Sequence, residues 1–520
     1  MIQKGTIWHK IVAVLLIITA SMCNGYAQRN KVIDPKGDEL FKARCYEKAT
    51  MQYLKTFAKS ASNKANPQML KRITESILSS EMVRDTARYF ADLYLEFAPE
   101  DIEAYLLAAR AHYHAHDFDI ALQRLDSFMI RAETEEQLQM AEILNSWIRN
   151  GKRLFKKTGK NLLINVGEEI NTINNEVNPF IINDDETLVF SCDDKFDREA
   201  IINVYNIKVA DRSGLQWTKA RKVPGGINTP NDEYPSGTTP NGMFFCSNKT
   251  GDFSLYEAKY GGNGRFTDIT KFEDPIDLRG SEVAACYSPS GDTMYFSGTT
   301  LNGKLDIFYS IRTMDGKWRE ARQIPGLVNR DNSDENYPVL ARGGTRLYFA
   351  SDREGTMGGY DLFYSDFDFK RYEWGKPVQL PYPFNDTYDN MTISFSTDER
   401  YAYLSLIRPE GYGGRDIYVM LNENIPPTSA IIRYAVKQKG KDKKYANLKE
   451  DPHIEVRSES GELVALQKMN MTNSTFLVIL SPGKYTIKID TTDNLHYEEV
   501  LEIQEQTYNT KVIEKEIKLN

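Results

Sequence analysis

The stretch LDIFYS at residues 305–310 returns as YDLFYS at 360–365 and as RDIYVM at 415–420. In each copy the second residue is an aspartate, and successive copies are spaced by 55 residues. These aspartates are Asp306, Asp361 and Asp416. A repeat of about 50 residues with aromatic strands is typical of a β-propeller, in which one repeat supplies one four-stranded blade. The spacing therefore predicts the fold of the centre of the chain.

Each copy lies within a longer repeat of four predicted strands, and these repeats fill residues 160–421. An aromatic ring recurs on the second strand, a polar residue begins the third, and a tryptophan recurs on the fourth. The residues are Phe190, Phe245, Phe296 and Phe349 on the second strand, Asn203, Ser254, Asp306, Asp361 and Asp416 on the third, and Trp217, Trp318 and Trp374 on the fourth. We expect the rings to pack neighbouring blades together, since a large ring buries about 150–250 Å².

Repetition favours a structural role for the polar position on the third strand. A catalytic side chain is needed once, whereas a small polar group at every strand start can accept hydrogen bonds from loop amides. A partner-binding role is the alternative for this position. Arg353 and Arg408 lie in loops after second strands and are interpreted as better candidates for a surface role.

A loop with an asparagine followed by an acid recurs before the first strand. The pairs are Asn171 with Glu176, Asn228 with Glu233, Asn329 with Glu335, and Asn385 with Asp389. The fifth repeat reaches Met420 with no fourth strand after it, while the strand at 162–166 has no blade of its own. We therefore predict that this N-terminal strand completes the last blade and closes a five-bladed β-propeller, which removes open sheet edges. Six blades would require a further repeat.

The flanking segments predict two other domains. Residues 38–157 have helical patterns, and Ala87 and Ala121 are 34 residues apart, the period of a tetratricopeptide repeat. Residues 430–520 contain short alternating strands separated by turns. The predicted fold class is multidomain: all-α tetratricopeptide-like helical repeats, then the propeller, then a small antiparallel β-sandwich.

The first 27 residues predict export. Two lysines precede an apolar run of about ten residues, which is too short for a bilayer span of about 20, and a small-x-small cleavage site ends at Ala27. We expect a signal peptide at 1–27 that is cleaved after Ala27. The mature protein is then expected in the periplasm, either free or associated with the outer membrane. Lipidation of Cys23 is the alternative to this cleavage.

Charge and cysteine content limit the partners. Loss of the two leader lysines takes the net charge from −8 to −10, and a net acidic chain argues against a nucleic-acid partner. We also predict no transmembrane helix in the mature chain. Cys45, Cys192, Cys246 and Cys286 are scattered, which favours neither a zinc site nor a dense disulfide framework. Free thiols are the preferred interpretation, and a bond between Cys192 and Cys246 is the alternative.

The repeat resembles a known family. LYFASDREGTMGGYDLFYS at 347–365 and the WGKPVQL phrase that begins at Trp374 look like the TolB-type propeller repeat of periplasmic proteins. PGKYTIKID at 482–490 resembles the carboxypeptidase-regulatory-like sandwich. The domain order resembles the PorE-like components of the type IX secretion system. Those proteins carry a further OmpA-type peptidoglycan-binding domain. The sequence stops at Asn520, where such a domain would begin, so we do not expect direct peptidoglycan anchoring.

Histidine is absent from residues 160–421. Without it, this region can form neither a Ser-His-Asp or Cys-His hydrolase nor a histidine-ligated metal centre. Carboxylates near Asp193 and Glu199 keep glycoside chemistry, or a calcium site, as alternatives. On one helix His112 and His116 would share a face, so a metal site is the alternative to the packing role that we favour. We expect no catalytic residue, no cofactor and no metal.

The sequence therefore favours a non-enzymatic periplasmic scaffold that holds Gram-negative envelope proteins together, in or near type IX secretion or gliding machinery. One alternative is a propeller-based binder or sensor of peptidoglycan or glycan fragments. The other is a carboxylate-dependent glycan-active enzyme. The expected partners are periplasmic or outer-membrane proteins, with any link to peptidoglycan being indirect.

Overall fold

The structure is a computed structural model. It describes residues 34–156, 163–183, 185–197, 201–213, 216–278, 280–342, 344–368, 370–396, 399–421, 430–438, 452–467, 469, 474–480, 482–492, 495–504 and 513–519. The predicted signal peptide, with Ala27 and Cys23, lies outside these residues, as does Glu199. The chain forms two compact units, one of residues up to Lys152 with Phe196–Asn203, the other of Arg153–Lys195 with Val204–Asn520.

The N-terminal region is helical, which confirms that part of the prediction. The helices are α1 Pro35–Lys42, α2 Tyr46–Phe57, α3 Ala61–Lys64, α4 Pro67–Ser79, α5 Ala87–Phe97, α6 Ile102–His114, α7 Phe118–Met129 and α8 Glu135–Phe155, with a 3₁₀ turn at Arg84–Thr86. Asp34, Asn66 and Asp101 begin helices because their side chains accept hydrogen bonds from the first free backbone N–H groups. Helices α2, α4, α5 and α6 share one apolar core that includes Tyr53 and Tyr94.

The central region consists of antiparallel sheets, as predicted. The strands are β1 Leu163–Asn165, β2 Glu176–Ile182, β3 Thr187–Asp197, β4 Ile202–Ser213, β5 Gln216–Trp217, β6 Arg221–Lys222, β7 Glu233–Thr239, β8 Gly242–Thr250, β9 Asp252–Tyr260, β10 Phe266–Lys271, β11 Glu282–Tyr287, β12 Thr293–Thr299, β13 Leu305–Ile311, β14 Arg322–Gln323, β15 Glu335–Ala341, β16 Arg346–Ser351, β17 Asp361–Asp368, β18 Glu373–Trp374, β19 Val378–Gln379, β20 Ile393–Phe395, β21 Tyr401–Ile407 and β22 Arg415–Leu421. They form five sheets in chain order, which begin at β2, β7, β11, β15 and β20.

The sheets form a closed cycle. The first strand of each sheet contacts the first strand of the next, in the order β2, β7, β11, β15, β20 and back to β2. The N-terminal strand β1 joins the last sheet, where Leu163 pairs with Met420 and Asn165 pairs with Tyr418. This arrangement is that of a β-propeller, and it leaves no first strand at an open edge of the ring.

Each junction between neighbouring sheets has its own apolar cluster. The clusters include Phe190 with Ile417, Ile207 with Phe245, Phe244 with Phe296, Ile307 with Phe349, and Leu362 with Leu404. Trp374 is fully buried and meets Tyr295 of the preceding sheet edge-on, with ring centroids 5.9 Å apart. Trp217 and Trp318 are half-buried beneath the guanidinium groups of Arg212 and Arg312. The predicted aromatic rings therefore lie between sheets.

At four of the five junctions a loop asparagine bonds one sheet to the preceding one, in the way that a neighbouring strand would. Asn228 Oδ1 accepts from the Ile207 N–H at 2.7 Å, and its Nδ2 donates to the Ile207 carbonyl at 2.9 Å. The same paired bonds join Asn329 to Ile307, Asn385 to Leu362, and Asn171 to Ile417. These are the asparagines of the predicted asparagine-acid loops. They recur because each makes the same two bonds to the third strand of the preceding sheet.

The C-terminal segment packs two sheets over one apolar core. Its strands are β23 Ala430–Gln438, β24 His453–Ser458, β25 Leu463–Gln467, β26 Thr475–Leu480, β27 Gly483–Asp490, β28 His496–Ile503 and β29 Ile513–Leu519. The sheet orders are β26-β23-β29 and β25-β24-β27-β28. The prediction of a small antiparallel β-sandwich is wrong at β29, which pairs in parallel with β23 because the last strand returns beside the first in the same direction.

No helix in the described ranges is both long enough and apolar enough to cross a membrane.

Replacement of Asn385 by alanine tests the strand-imitating bonds. The side chain is fully buried and bonds Leu362 N–H at 2.6 Å, the Leu362 carbonyl at 2.9 Å and the Leu380 carbonyl at 2.8 Å. Its loss leaves buried backbone groups without partners, so we expect Asn385→Ala to lower the free energy of unfolding by about 2–4 kcal/mol. Urea unfolding followed by tryptophan fluorescence measures this change.

The matched control is Asn231→Ala, because Asn231 is exposed and, within the described residues, its side chain bonds only Thr229 of its own loop. We expect this control to unfold at the urea concentration of the wild type. Equal destabilisation by both substitutions would contradict the proposed role of Asn385.

Candidate functional site

The polar residues singled out by the repeat lie at one edge of the five sheets, where second strands end and first and third strands begin. We call this edge, with its loops at residues 166–176, 223–233, 272–282, 324–335 and 380–390, the loop edge. It is the candidate functional site because the predicted acids, asparagines and arginines of the repeats converge there.

The first sheet differs from its predicted alignment. Ile207 makes the asparagine contacts that Ile307, Leu362 and Ile417 make in other sheets. The residue before it, the buried Asn206, is therefore the structural counterpart of Asp306. Asn203 instead belongs to the first compact unit, where its Oδ1 accepts from Lys48 Nζ at 2.7 Å. The shift of three residues arises because β4 has 12 residues and its polar position lies inside the strand.

Polar pairs link the third and fourth strands in a regular pattern. Where the third strand has Asp306, Asp361 or Asp416, an amide donates to the carboxyl group: Gln323 at 2.5 Å, Gln379 at 2.5 Å and Asn165 at 2.9 Å. Where the third strand has Asn206 or Ser254, the register places a lysine at the position of the amide, Lys222 or Lys271. Their amines face other acids, Asp194 at 3.5 Å and Asp277 at 2.9 Å.

Burial raises the pKa of the carboxyl groups on the third strands, which favours their protonated form. Asp361 is completely buried, and burial raises its pKa to about 8. Burial likewise raises the pKa of Asp306 and of Asp416 to about 6. Asp361 Oδ2 accepts from the Met357 N–H at 2.9 Å, whereas Oδ1 has no hydrogen-bond partner among the described residues. A protonated carboxyl group suits this site because it carries no charge into the interior.

The glutamates at the start of first strands shape the loops before them. Glu233 accepts from the Thr229 N–H at 2.9 Å and from the Thr229 hydroxyl at 2.5 Å, and Glu176 bonds Thr172 in the same way. Burial raises the pKa of Glu176 to about 7 and that of Glu282 to about 8. In the fifth sheet Asn390, not the predicted Asp389, occupies this position and accepts from the Asp386 N–H at 2.8 Å.

The residue before that position bridges to the preceding sheet at every junction. Its side-chain oxygen accepts a hydrogen bond from a backbone N–H at the third strand of the sheet before. The five bridges are Asn175 with Arg415 N–H at 2.9 Å, Asp232 with Tyr205 at 2.9 Å, Ser281 with Phe253 at 3.3 Å, Asp334 with Leu305 at 2.9 Å, and Asp389 with Tyr360 at 3.0 Å. These side chains close the ring.

Arg353 and Arg408 are not surface groups, which corrects the sequence interpretation. Arg353 is 5% exposed, and its Nη2 lies 3.0 Å from Glu335 Oε1 and 2.6 Å from the Val328 carbonyl. Arg408 is 7% exposed and forms an ion pair with Asp386. Both side chains are buried beneath their loops because each forms an ion pair with a buried acid. Arg353 pairs with Glu335 and Arg408 with Asp386, and both acids belong to loops that lead into first strands.

The other candidate chemical groups are also engaged inside the fold. Asp193 accepts from Asn175 N–H at 2.7 Å, and Asp194 forms an ion pair with Lys208 at 2.9 Å. The cysteines within the described ranges, Cys45, Cys192, Cys246 and Cys286, are buried free thiols. The preferred interpretation of Cys192 and Cys246 therefore agrees with the structure.

The histidine pair does not form the alternative metal site. His112 lies on α6 between Asp92 at 3.1 Å and Asp117 at 3.3 Å, whereas His116 follows the end of that helix with a φ of 62°. The two rings therefore do not share a helix face. Among the described residues, no group of three or more histidine, cysteine, aspartate or glutamate side chains is arranged to hold a metal ion.

Comparison with known proteins gives distant structural likenesses. No family model and no curated protein matches the chain. TolB from Acinetobacter baumannii is 15% identical over 58% of this chain and 66% of its own, with a TM-score of 0.29. A thermostable family-43 glycoside hydrolase is 11% identical over 48% and 90%, with a TM-score of 0.34. The periplasmic gluconolactonase of Pseudomonas aeruginosa is 9% identical over 66% and 97%, with a TM-score of 0.27. None of these likenesses determines an activity for this chain.

Replacement of Asp361 by asparagine tests the state of the buried acid. The folded chain holds this proton up to a pH of about 8, whereas an unfolded aspartate releases it near pH 4. The stability of the wild type should therefore fall as the pH rises from about 4 to about 8. Asparagine carries no titrating proton, so the melting temperature of Asp361→Asn should rise relative to the wild type across this interval, as measured by thermal unfolding.

Asp331→Asn is the control, since Asp331 is exposed at the same loop edge. Its melting temperature should follow that of the wild type from pH 4 to pH 8. A difference between Asp361→Asn and the wild type that stays constant with pH would contradict the protonated state of Asp361.

Proposed function

We propose that this protein is a non-enzymatic scaffold of the Gram-negative periplasm that binds envelope proteins, in or near type IX secretion or gliding machinery. On this proposal the five sheets are the blades of a five-bladed propeller, and the helical region is a tetratricopeptide-like repeat domain. The chain would then present three kinds of interaction surface: a helical groove, a propeller face and a β-sandwich.

The observation that supports this proposal most directly is that the polar side chains of the loop edge bond to other parts of the ring. At all five junctions a polar side chain bridges one sheet to the next. The buried acids of the third strands bond amides of the fourth strands. A chemical role would require acids that face a substrate, whereas these acids and amides hold the ring together.

The loop edge also exposes apolar side chains that a protein partner would cover. Ile173 is 68% exposed and Tyr412 is 47% exposed. Their loops touch, because a β-carbon on Gly413 would lie 2.5 Å from the carbonyl carbon of Ile173. A protein partner that covered both side chains would remove their apolar surface from water.

Cross-linking in the envelope followed by affinity purification tests this function. We expect the wild type to recover at least one protein partner in a fixed ratio. The double substitution Ile173→Asp with Tyr412→Asp should reduce that recovery at least about tenfold, because a charge in a buried contact costs more than 1.4 kcal/mol. Tyr372→Asp is the matched control, since Tyr372 is 76% exposed in the β17–β18 turn.

Failure of the wild type to recover any protein in a fixed ratio would overturn the scaffold. Recovery that is unchanged in the double variant would instead place the partner surface elsewhere on the chain. Binding of muropeptides or glycans by the purified wild type, without protein partners, would favour the sensor alternative.

A further inference from the structure

A polar cavity lies between the first and second sheets at the edge opposite the loop edge, where first and third strands end. Its volume is about 560 Å³, within the range of small-molecule sites. The turn between β2 and β3 supplies Asn183 and Thr187, the end of β4 supplies Asp211, and the end of β9 with the turn after it supplies Tyr260 and Asn263. We call this space the turn-edge cavity.

Three oxygen atoms of the cavity form a triangle. Thr187 Oγ1 is 3.3 Å from Asp211 Oδ1 and 3.3 Å from the Tyr260 hydroxyl oxygen, which is itself 3.3 Å from Asp211 Oδ1. Since an O–H···O bond is ordinarily about 2.7–2.8 Å long, these three groups bond one another weakly. A further hydroxyl oxygen placed over the triangle can lie about 2.8 Å from all three atoms.

Neighbouring N–H groups set the direction of the two hydroxyl hydrogens. Asn183 Nδ2 donates to Thr187 Oγ1 at 3.3 Å, and the Gly264 N–H donates to the Tyr260 hydroxyl oxygen at 3.3 Å. Each hydroxyl oxygen therefore accepts from an N–H group, and its own hydrogen can be donated to Asp211 or to a ligand. The triangle thus offers two donors and one acceptor, which complements the one donor and two acceptor positions of a hydroxyl group.

The charges around the cavity balance one another. Asp211 Oδ2 lies 2.6 Å from Arg221 Nη2. Glu186 and Arg212 supply a second acid and a second base, and the Arg212 N–H donates to the Glu186 carbonyl at 2.7 Å. A neutral ligand is favoured over an ion because a charged ligand would lose hydration without meeting an unbalanced opposite charge.

Backbone hydrogen bonds close both turns of the cavity. The Glu186 N–H donates to the Asn183 carbonyl at 3.0 Å, and the Gly261 N–H donates to the Arg265 carbonyl at 2.8 Å. Asn183 and Asn263 have positive φ values of 56° and 50°, a conformation that asparagine adopts more readily than most residues. The backbone that carries the polar side chains is therefore ordered before a ligand arrives, which lowers the entropic cost of binding.

The cavity is not a repeated feature of the ring. Thr187 pairs with the last residue of its first strand, and the residues at this position in the other four sheets are Gly242, Met294, Arg346 and Ala402. Polar groups that hold the ring together recur from junction to junction, whereas a ligand site is needed once. The hydroxyl triangle therefore belongs to the first two sheets in particular.

We propose that the turn-edge cavity binds a neutral sugar unit of a glycan. One sugar hydroxyl would lie over the triangle, donate to Asp211 and accept from Thr187 and Tyr260. The amides of Asn183 and Asn263 would bond neighbouring hydroxyl groups, and the Tyr260 ring adds an apolar surface beside its polar end. A sugar ring carries several such hydroxyl groups within the volume of the cavity. This site goes beyond the scaffold function and does not depend on it.

The test is saturation-transfer difference NMR on the purified full chain with the neutral disaccharides cellobiose, maltose and N,N′-diacetylchitobiose. The wild type should bind at least one of them, and Tyr260→Phe should weaken that binding at least about fivefold, because a hydrogen-bonding hydroxyl is lost. Asn263→Gly should weaken it about threefold, since glycine keeps the positive φ and removes the amide. The control Tyr309→Phe should bind as the wild type does, because Tyr309 is half-buried on β13 of another sheet.

Thermal unfolding of the same variants separates binding from folding. The bonds that the Tyr260 hydroxyl makes are long, so the melting temperature of Tyr260→Phe should stay within about 2 °C of the wild type. Lost binding that comes with a larger fall in both Tyr260→Phe and Asn263→Gly would assign these residues a structural role and overturn the proposal. Unchanged binding in both variants would overturn it as well.

The choice of ligand separates the remaining outcomes. No saturation transfer to any of the three disaccharides would overturn the site, and equal transfer to glycerol would reduce it to a general affinity for hydroxyl groups and overturn it too. Tighter binding of glucosamine or glucuronate than of cellobiose would overturn the neutral assignment.

Protein recovery keeps this inference distinct from the scaffold. The turn-edge cavity and the loop edge lie at opposite edges of the sheets, so Tyr260→Phe should recover the same envelope proteins as the wild type. Sugar binding without any recovered protein would keep the cavity and overturn the scaffold. Recovered protein without sugar binding would keep the scaffold and overturn the cavity.

Discussion

Every backbone N–H and C=O group at the edge of a sheet must find a partner, and the central fold of this protein depends on how it meets that requirement. Loop asparagines supply one donor and one acceptor to the third strand of the preceding sheet. A second polar side chain in the same loop bridges the junction again. Apolar clusters then fill the space between the sheets. The polar contacts set the register, and the apolar contacts supply most of the stabilisation.

The regular spacing of the repeats was sufficient to predict the sheets, because aromatic and polar positions recur at nearly constant distances in the sequence. It also led to the N-terminal strand as the completion of the last sheet, because a missing fourth strand and an unassigned strand are both visible in the sequence. The alignment failed in the first sheet, where long strands move the polar position from Asn203 to Asn206. Arg353 and Arg408 follow polar loop patterns, and the buried acids that receive them come from other loops, which local sequence does not reveal.

The third and fourth strands show that the repeats are not interchangeable. An acid on the third strand occurs with an amide on the fourth, and a neutral residue there occurs with a lysine. Each combination avoids a buried unpaired charge in its own way. An acid placed opposite lysine would change the charge of the junction, and an amide without its acid would lose a hydrogen bond. The sheets therefore share one backbone arrangement and differ in the side chains that avoid an unpaired charge between the third and fourth strands.

The strand pairing of the last sheet has a consequence for how the chain is made. Of the strands in the ring, β1 is synthesised first. Its partner β22 follows about 250 residues later, since Asn165 pairs with Tyr418. Until then β1 has no native neighbour and the ring has an open edge, which is the condition in which strands pair wrongly between molecules. Contacts of such long sequence separation also slow folding. A ring fastened by its two ends thus becomes native only when its final strand has emerged, so a chain interrupted before residue 415 would keep its first four sheets and remain open.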